Sequence, residues 1–331
     1  WQPAFLSRCC CISGIRTHSP EKGRSSMNER YLIINADDFG ICDSADRAIL
    51  RLLQEKRITS TSLMAPAPLA AEAVRLAAER SLPAGVHWTL NSDWDFAPWQ
   101  PVAPAEAVPS LQDGKGLCHD TRLLAHQARS AEVTAELEAQ VKWMVENGCA
   151  PDHADSHCGT LYGINGRPFF INAFRVCRKY GLPFRLPKGP SFLADEFRRE
   201  APRPVRSLQT FIVGLAAVMG VDLLDNLITN PYSIREISGY DQLSEYYLRR
   251  VASLPAGITE MFLHPSYPDP AISAHTKEWS KREMELRFLL SDDLFRLIEK
   301  EGIRLVSWGE APFPHRRGKA PKRNAPDHST S

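Results

Sequence analysis

The sequence has no excess of charge of either sign: 40 Lys and Arg stand against 39 Asp and Glu, a formal net charge of +1. With no basic stripe interleaved with aromatics, that balance excludes the electrostatic footprint of a nucleic-acid binder. No apolar run approaches the roughly 18 residues that a membrane span needs. The segment from Phe211 to Val221 is too short and reads as a buried helix. There is no glycine-rich phosphate loop of either standard type, which disfavours a nucleotide cofactor. Cysteine follows no pairing pattern: of eight, three are adjacent at Cys9, Cys10 and Cys11, and Cys42, Cys118, Cys149, Cys158 and Cys177 are scattered. The five outside residues 1–26 are an odd, unpatterned set, which argues against a disulfide framework and for reduced thiols, so a cytoplasmic location is expected.

Residues 1–26 show no sustained period of either kind, and Met27 leads directly into a strand-like run. They read as a non-native or disordered leader, with no apolar stretch of the length a secretory signal requires. Residues 314–331 are rich in Pro, Lys, Arg, His and Ser and read as a disordered basic tail. Residues 27–313 remain, enough for one large α/β domain with a sizeable core.

Within that span, strand-like and helix-like segments alternate. Tyr31–Ala36 is a buried strand by its apolar run, and Asp43–Lys56 a helix whose Ala45, Ala48, Ile49, Leu52 and Leu53 share a face. Strands over Thr59–Ala65, Ala84–Leu90, His153–Ser156 and Pro183–Leu186 are separated by helices at Leu69–Arg80, Ser130–Asn147 and Phe169–Tyr180. A helix near Gln209–Gly220, a strand near Ile234–Ser238, a helix at Asp241–Ser253 and a strand at Gly257–His264 follow. Paired helices over Lys281–Glu301 and a strand at Ile303–Trp308 close the series. The pattern predicts a distorted (β/α) barrel of seven or eight parallel strands, with an open doubly wound sheet as the alternative.

Chemistry-bearing residues gather at the carboxyl ends of these strands. Asp37 and Asp38 end the first, His87 lies near the end of the third, and Asp155 and His157 follow a long helix. Two adjacent carboxylates repel, a cost that suggests a cation or a proton separating their roles. Adjacent residues of a regular strand point to opposite sides, so the two need not do the same job. One carboxylate and two imidazoles from three strand ends form a facial metal site with open positions. The bland alternatives are a solvated turn with Asp as helix N-cap and satisfied core histidines. Two long irregular stretches, 92–129 with Trp94, Phe96 and Trp99, and 188–206 with several Pro and Arg, suit lids or binding loops. The tryptophans either stack on a sugar ring or pin their loop to the barrel.

Asn35-Ala-Asp-Asp-Phe-Gly40, Gly85-Val-His-Trp-Thr-Leu-Asn91, Asp155-Ser-His157 and His264-Pro265 together resemble the YdjC-like carbohydrate deacetylase family, which includes chitooligosaccharide deacetylases. The resemblance runs from about Arg30 to Glu310. It implies a distorted βα barrel and metal-dependent removal of acetyl from an N-acetylated sugar or short oligosaccharide. By position, Asp38, His87 and His157 match the metal ligands, Asp37 the general base, and His264 a histidine acting as acid. Asp155 would orient a ligand or substrate, and Arg185, Trp94 and Trp99 are substrate-side candidates. The alternatives are a helix cap for Asp155, a surface position for Arg185 and a turn histidine for His264. One departure stands out: where many members place a histidine two residues after the ligand, this chain has Gly159, preceded by Cys158. Cys158 reads as a soft ligand or a small packing residue.

The expected cofactor is one divalent ion, magnesium or zinc; imidazole-rich ligation leans towards zinc, and waters completing the shell admit magnesium. The expected partner is the acetylated sugar, with no nucleic acid and no membrane, and a homodimer is the assembly considered. Hydrolysis of another bond, such as a phosphoester, and sugar binding without turnover are the competing readings.

Overall fold

A computed structural model describes residues 28–94, 97–270, 273 and 276–316 of the chain. The expected leader, Phe96 and residues 317–331 of the expected tail lie outside the described residues, and Pro314–Arg316 forms a short 3-10 turn.

The first half alternates as the periodicity predicts. It comprises β1 (Arg30–Phe39), α1 (Asp43–Gln54), β2 (Ser60–Leu63), α2 (Ala70–Glu79) and β3 (Ala84–Trp88), then α3 (Thr121–Gln127), α4 (Ser130–Glu146) and β4 (Ala154–Ser156). Helix α5 (Phe170–Tyr180) stops at Gly181, whose φ of 69° provides the left-handed turn into β5 (Phe184–Pro187). Next come α6 (Ser191–Phe197), α7 (Arg203–Met219), β6 (Leu223–Leu224) and β7 (Asn226–Ile228). The chain continues with α8 (Tyr240–Ala252), β8 (Gly257–Leu263), α9 (Trp279–Leu290), α10 (Asp292–Lys300) and β9 (Arg304–Leu305).

All named strand pairs are parallel, in the order β6-β5-β4-β3-β2-β1-β8-β7, with β9 pairing on β1. The two ends of this order are neighbours in the chain, separated by Asp225 alone. The ring is therefore joined there by the covalent chain rather than by a hydrogen-bonded ladder. Asp225 bonds β8 by its backbone N–H to the Ile258 carbonyl (2.9 Å) and by its carboxylate to the Ile258 N–H (2.8 Å). The result is the distorted parallel barrel. Its ring of helices packs through one large apolar cluster containing Leu32, Ile34, Ala48, Ile49, Val86, Trp88, Leu137 and Phe174. A smaller cluster includes Ile33, Leu224, Ile258, Trp308 and Phe313.

Three expectations change. The strand expected at Ile234–Ser238 is a turn, and the sheet uses Leu223–Ile228 instead, where Asp222, Asp225 and Asn226 interrupt the apolar run. Residues 188–206 are not wholly irregular: Pro190 precedes α6, and Pro204 sits in the first turn of α7, where its missing N–H costs nothing. Helix α7 is also not buried all round, because Phe211 is 66% and Val218 85% exposed.

Behind the loop after β1, Asp46 accepts a hydrogen bond from the Gly40 N–H (2.7 Å), and burial pushes its pKa up to about 7. A carboxyl group raised above its unfolded value near 3.9 favours folding at low pH, and that contribution is lost as pH rises through about 7. Asp46→Asn keeps an acceptor for Gly40 without the titration. Relative to this variant, the wild type should lose thermal stability between pH 4 and 8; a constant difference would show that Asp46 is not raised.

Candidate metal centre

The end of β1 is built to turn two neighbouring carboxylates inward. Ala36 pairs with Thr61 and Phe39 with Leu63, so β1 spends one residue more than β2 over this stretch, a bulge at Asp37–Asp38. Asp38 has a φ of 70°, a left-handed conformation costing a non-glycine residue roughly 1–3 kcal/mol. The bulge overrides strict alternation, and both side chains line one cavity.

Asp38 is buried, and its Oδ1 accepts no hydrogen bond. That oxygen lies 3.4 Å from His87 Nε2 and 3.4 Å from His157 Nδ1, and the two nitrogens are 3.3 Å apart. Ligands about 2.1 Å from an ion at tetrahedral angles lie about 3.4 Å from one another. An orphaned carboxylate oxygen and two imidazole nitrogens at that spacing can hold a metal ion.

The far side of each ligand is tied. His87 and Asp155 are register partners across β3 and β4, and His87 Nδ1 meets Asp155 Oδ1 at 2.6 Å. His157, in the turn after β4, places Nε2 2.9 Å from Asp93 Oδ1. A carboxylate behind each histidine fixes tautomer and ring orientation, the usual support of a metal-binding imidazole. Arg282, from α9, donates to Asp38 Oδ2 at 2.7 Å. Burial opposes charge on every member. The carboxylates of Asp155, Asp38 and Asp37 nevertheless push His87 up to about 10, and Asp93 foremost holds His157 well above its ordinary value. Arg282 outweighs the burial of Asp38 and holds it well below the usual carboxylate range.

Asp37 faces a different cation. Arg185 forks onto it, Nη1 to Oδ2 at 2.6 Å and Nη2 to Oδ1 at 2.8 Å, and Asn35 also donates to Oδ1 at 2.7 Å. Arg185 outweighs the desolvation of Asp37 and keeps its pKa lowered. His264 Nε2 lies 3.8 Å from Asp37 Oδ2, and burial lowers the His264 pKa, an effect tempered by the 35% of its side chain that stays open.

Several expected placements need correction. Arg185 is not a surface residue: it is 3% exposed, and Asp37, Asp155 and Glu260 take up its guanidinium. Trp94 and Trp99 do not line the cavity. Trp99 is buried against Ile41, Ala45 and Met64, with Trp94 packed on it at 5.8 Å, so the rings pin loop 92–129 to the barrel. Cys158 is no packing residue: it is exposed at a φ of 50°, with Sγ 3.3 Å from His157 Nε2. Asp155 is no helix cap, being a β4 residue bonded to His87 and Arg185.

Three residues of the site escape sequence reasoning. Asp93 lies in a loop without periodicity, and Arg282 sits on a helix like any surface Arg. Glu260 carried a usable signal, a carboxylate inside the apolar run Ile258–Leu263.

Fold and cluster define a class: parallel α/β barrels with a metal-capable Asp-His-His group at the carboxyl ends of the strands. The chain belongs to the YdjC-like protein family, whose model matches residues 31–300. It is 27% identical over 288 residues to a carbohydrate deacetylase of Enterococcus faecalis, covering 85% of this chain and 98% of that one. It is also 27% identical over 301 residues to the human carbohydrate deacetylase, covering 83% and 89%. A crystal structure from Enterococcus faecalis, of a protein named for proposed cellobiose-phosphate cleavage, superposes with a TM-score of 0.66 at 26% identity, covering 85% and 98%.

Calorimetric titration with zinc or magnesium should give one site, abolished in Asp38→Ala. Asp93→Asn and Asp155→Asn should weaken it about 10–100-fold, the usual cost of losing the group behind a ligand. Unchanged affinity in all three variants would place the ion elsewhere.

Proposed function

We propose that the protein is a metal-dependent carbohydrate deacetylase that hydrolyses the N-acetyl group of an N-acetylated sugar or short oligosaccharide. The observation that carries this reading is the division of labour between two adjacent carboxylates. Asp38 turns an unpartnered oxygen to two imidazoles, while Asp37 stays outside that triangle, held ionised by Arg185. The names of the family relatives supply the substrate class.

A divalent ion held by Asp38, His87 and His157 supplies Lewis acidity for the amide carbonyl and lowers the pKa of a water. The nitrogen-rich set favours zinc, and remaining oxygen ligation admits magnesium. Asp37 Oδ2 makes one bond, to Arg185, and is free to take the proton of the attacking water. Its sharing of Arg185 with Asp155 and Glu260 keeps the guanidinium from quenching that basicity entirely. His264, whose pKa burial lowers, has Nε2 3.8 Å from Asp37 Oδ2 and is positioned to receive the proton from Asp37 and pass it to the departing amine. The C–N bond breaks, water supplies the carboxylate oxygen, and acetate and the free amino sugar leave.

Acetate release from N-acetylglucosamine oligomers, with chelator-stripped protein reloaded with single metals, tests the class. Asp37→Asn should bind the metal with near wild-type affinity and lose at least about 100-fold in kcat, the scale of a general base. Most of the activity surviving in Asp37→Asn would remove it as the base. Phosphate release from sugar phosphates with no acetate release would replace the reading.

A further inference from the structure

The cavity over the cluster measures about 900 Å³, at the large end of the roughly 300–1,000 Å³ typical of small-molecule sites. Its sides differ in chemistry. The end of β8 and the start of α9 contribute His264, which follows the strand, Glu278, which caps the helix, Lys281 and Arg282. Helices α6 and α7 and the turn after β4 contribute mostly apolar side chains, Phe192, Leu193, Phe197, Leu208, Ile212 and Ile164, with Glu196 and Gln209 among them. Leu193 and Ile212 are buried, at 7% and 5%, whereas Ile164, Phe197 and Leu208 are 73%, 40% and 48% exposed. The apolar lining thus runs from the interior out to solvent.

It also begins at the reacting end. Phe262 lies 4.6 Å from the Arg185 guanidinium that holds Asp37, and Phe192 packs on the same buried apolar cluster as Phe262. Gly159 stands where the family resemblance expects a histidine. Its φ is +63°, and a Cβ there would come within 2.4 Å of Ile164 Cδ1. A polar side chain is absent at this point, and an isoleucine fills the space. Sugar hydroxyls gain nothing from the apolar part of this wall, and a cavity lined mainly by apolar side chains suits an apolar group of a ligand.

We propose that the substrate is amphiphilic: an acylated amino sugar carrying an apolar substituent that lies along α6 and α7. This rests on the deacetylase reading. The shared chemistry is the apolar group, and its source, a longer N-acyl chain or an apolar aglycone, is resolved by two series. One varies the acyl group of N-acylglucosamine from acetyl to octanoyl, and the other varies the β-glycoside of N-acetylglucosamine from methyl to octyl. Each is assayed as free amine formed by the metal-loaded protein. In the series that matches the source, kcat/KM should rise about fourfold per added methylene, the ~0.8 kcal/mol of its burial. Leu208→Glu, at the half-exposed mouth, should cut the octyl-to-methyl or octanoyl-to-acetyl ratio about tenfold, a ratio insensitive to how much protein folds.

Binding without turnover separates the two readings. By calorimetry, octyl glucosaminide should bind more tightly than methyl glucosaminide if the aglycone is the source. Octanoate should bind more tightly than acetate if the acyl chain is. Release of acetate with flat or falling chain dependence in both series would overturn the apolar subsite and leave the deacetylase intact. No amine from any substrate, together with tighter binding of the long-chain ligands, would overturn the deacetylase and keep the subsite.

Discussion

One buried guanidinium organises the barrel interior. Arg185, at the end of β5, bonds Asp37 from β1, Asp155 from β4 and Glu260 from β8, and Trp308 completes Glu260 with an indole N–H at 3.2 Å. Such a cluster is weak evidence for stability, since apolar replacements of a whole buried ion network are often neutral or better. Removing the cation alone is different, because it strands three carboxyl groups out of water. Lysine could not replace it either, as a point charge cannot fork to three partners. Two guanidiniums, Arg185 and Arg282, serve four buried carboxyl groups, Asp37, Asp38, Asp155 and Glu260. The interior is short of positive charge, and the shortage is concentrated at the unpartnered oxygen of Asp38 between the two histidines. A divalent ion between neutral imidazoles is the economical remedy, and without it protons on His87 and His157 do the same work.

The adjacency of Asp37 and Asp38 is resolved by the same logic. The bulge at the end of β1 brings both carboxylates to one cavity, where their repulsion would be severe in a low dielectric. Each is given its own cation: Arg185 on the β5 side holds Asp37, and Arg282 from α9 holds Asp38. The cations approach from different elements, so Asp37 stays outside the triangle of Asp38, His87 and His157 while Asp38 points an oxygen into it. The left-handed backbone of Asp38 is the local cost of that separation.

The first half of the barrel was legible because its strands are uninterrupted apolar runs and its helices keep one face, as Leu32–Ile34 and Ala45–Leu52 show. Each Asp or His at a strand end has a bland explanation alone, and they were legible because such groups recur at the ends of several strand-like runs. What stayed hidden lacked a local signal. Strands β6 and β7 are two and three residues long and broken by Asp225, so their pairing depends on tertiary contacts with β5 and β8. Arg185 and Arg282 look like solvated cations in sequence, and only the convergence of distant carboxylates brings them inside. Chain ends and the long loops gave composition but no geometry.

The loop over residues 92–129 shows how such geometry arises. Its tryptophans left a sugar platform and a loop anchor equally open, and Trp99 is sunk beside Ile41 and Met64 from the turns after β1 and β2, 6.1 Å from the His157 ring. Burying an indole is worth far more than any single hydrogen bond the loop makes, so the ring fixes where the loop sits. Once it sits there, Asp93 is six residues from the anchor and reaches His157 Nε2. Apolar packing thereby sets the orientation of a candidate ligand, through a carboxylate that no strand or helix carries. The other long connection, between β5 and β6, places half-exposed apolar side chains of α6 and α7 at the mouth of the cavity instead.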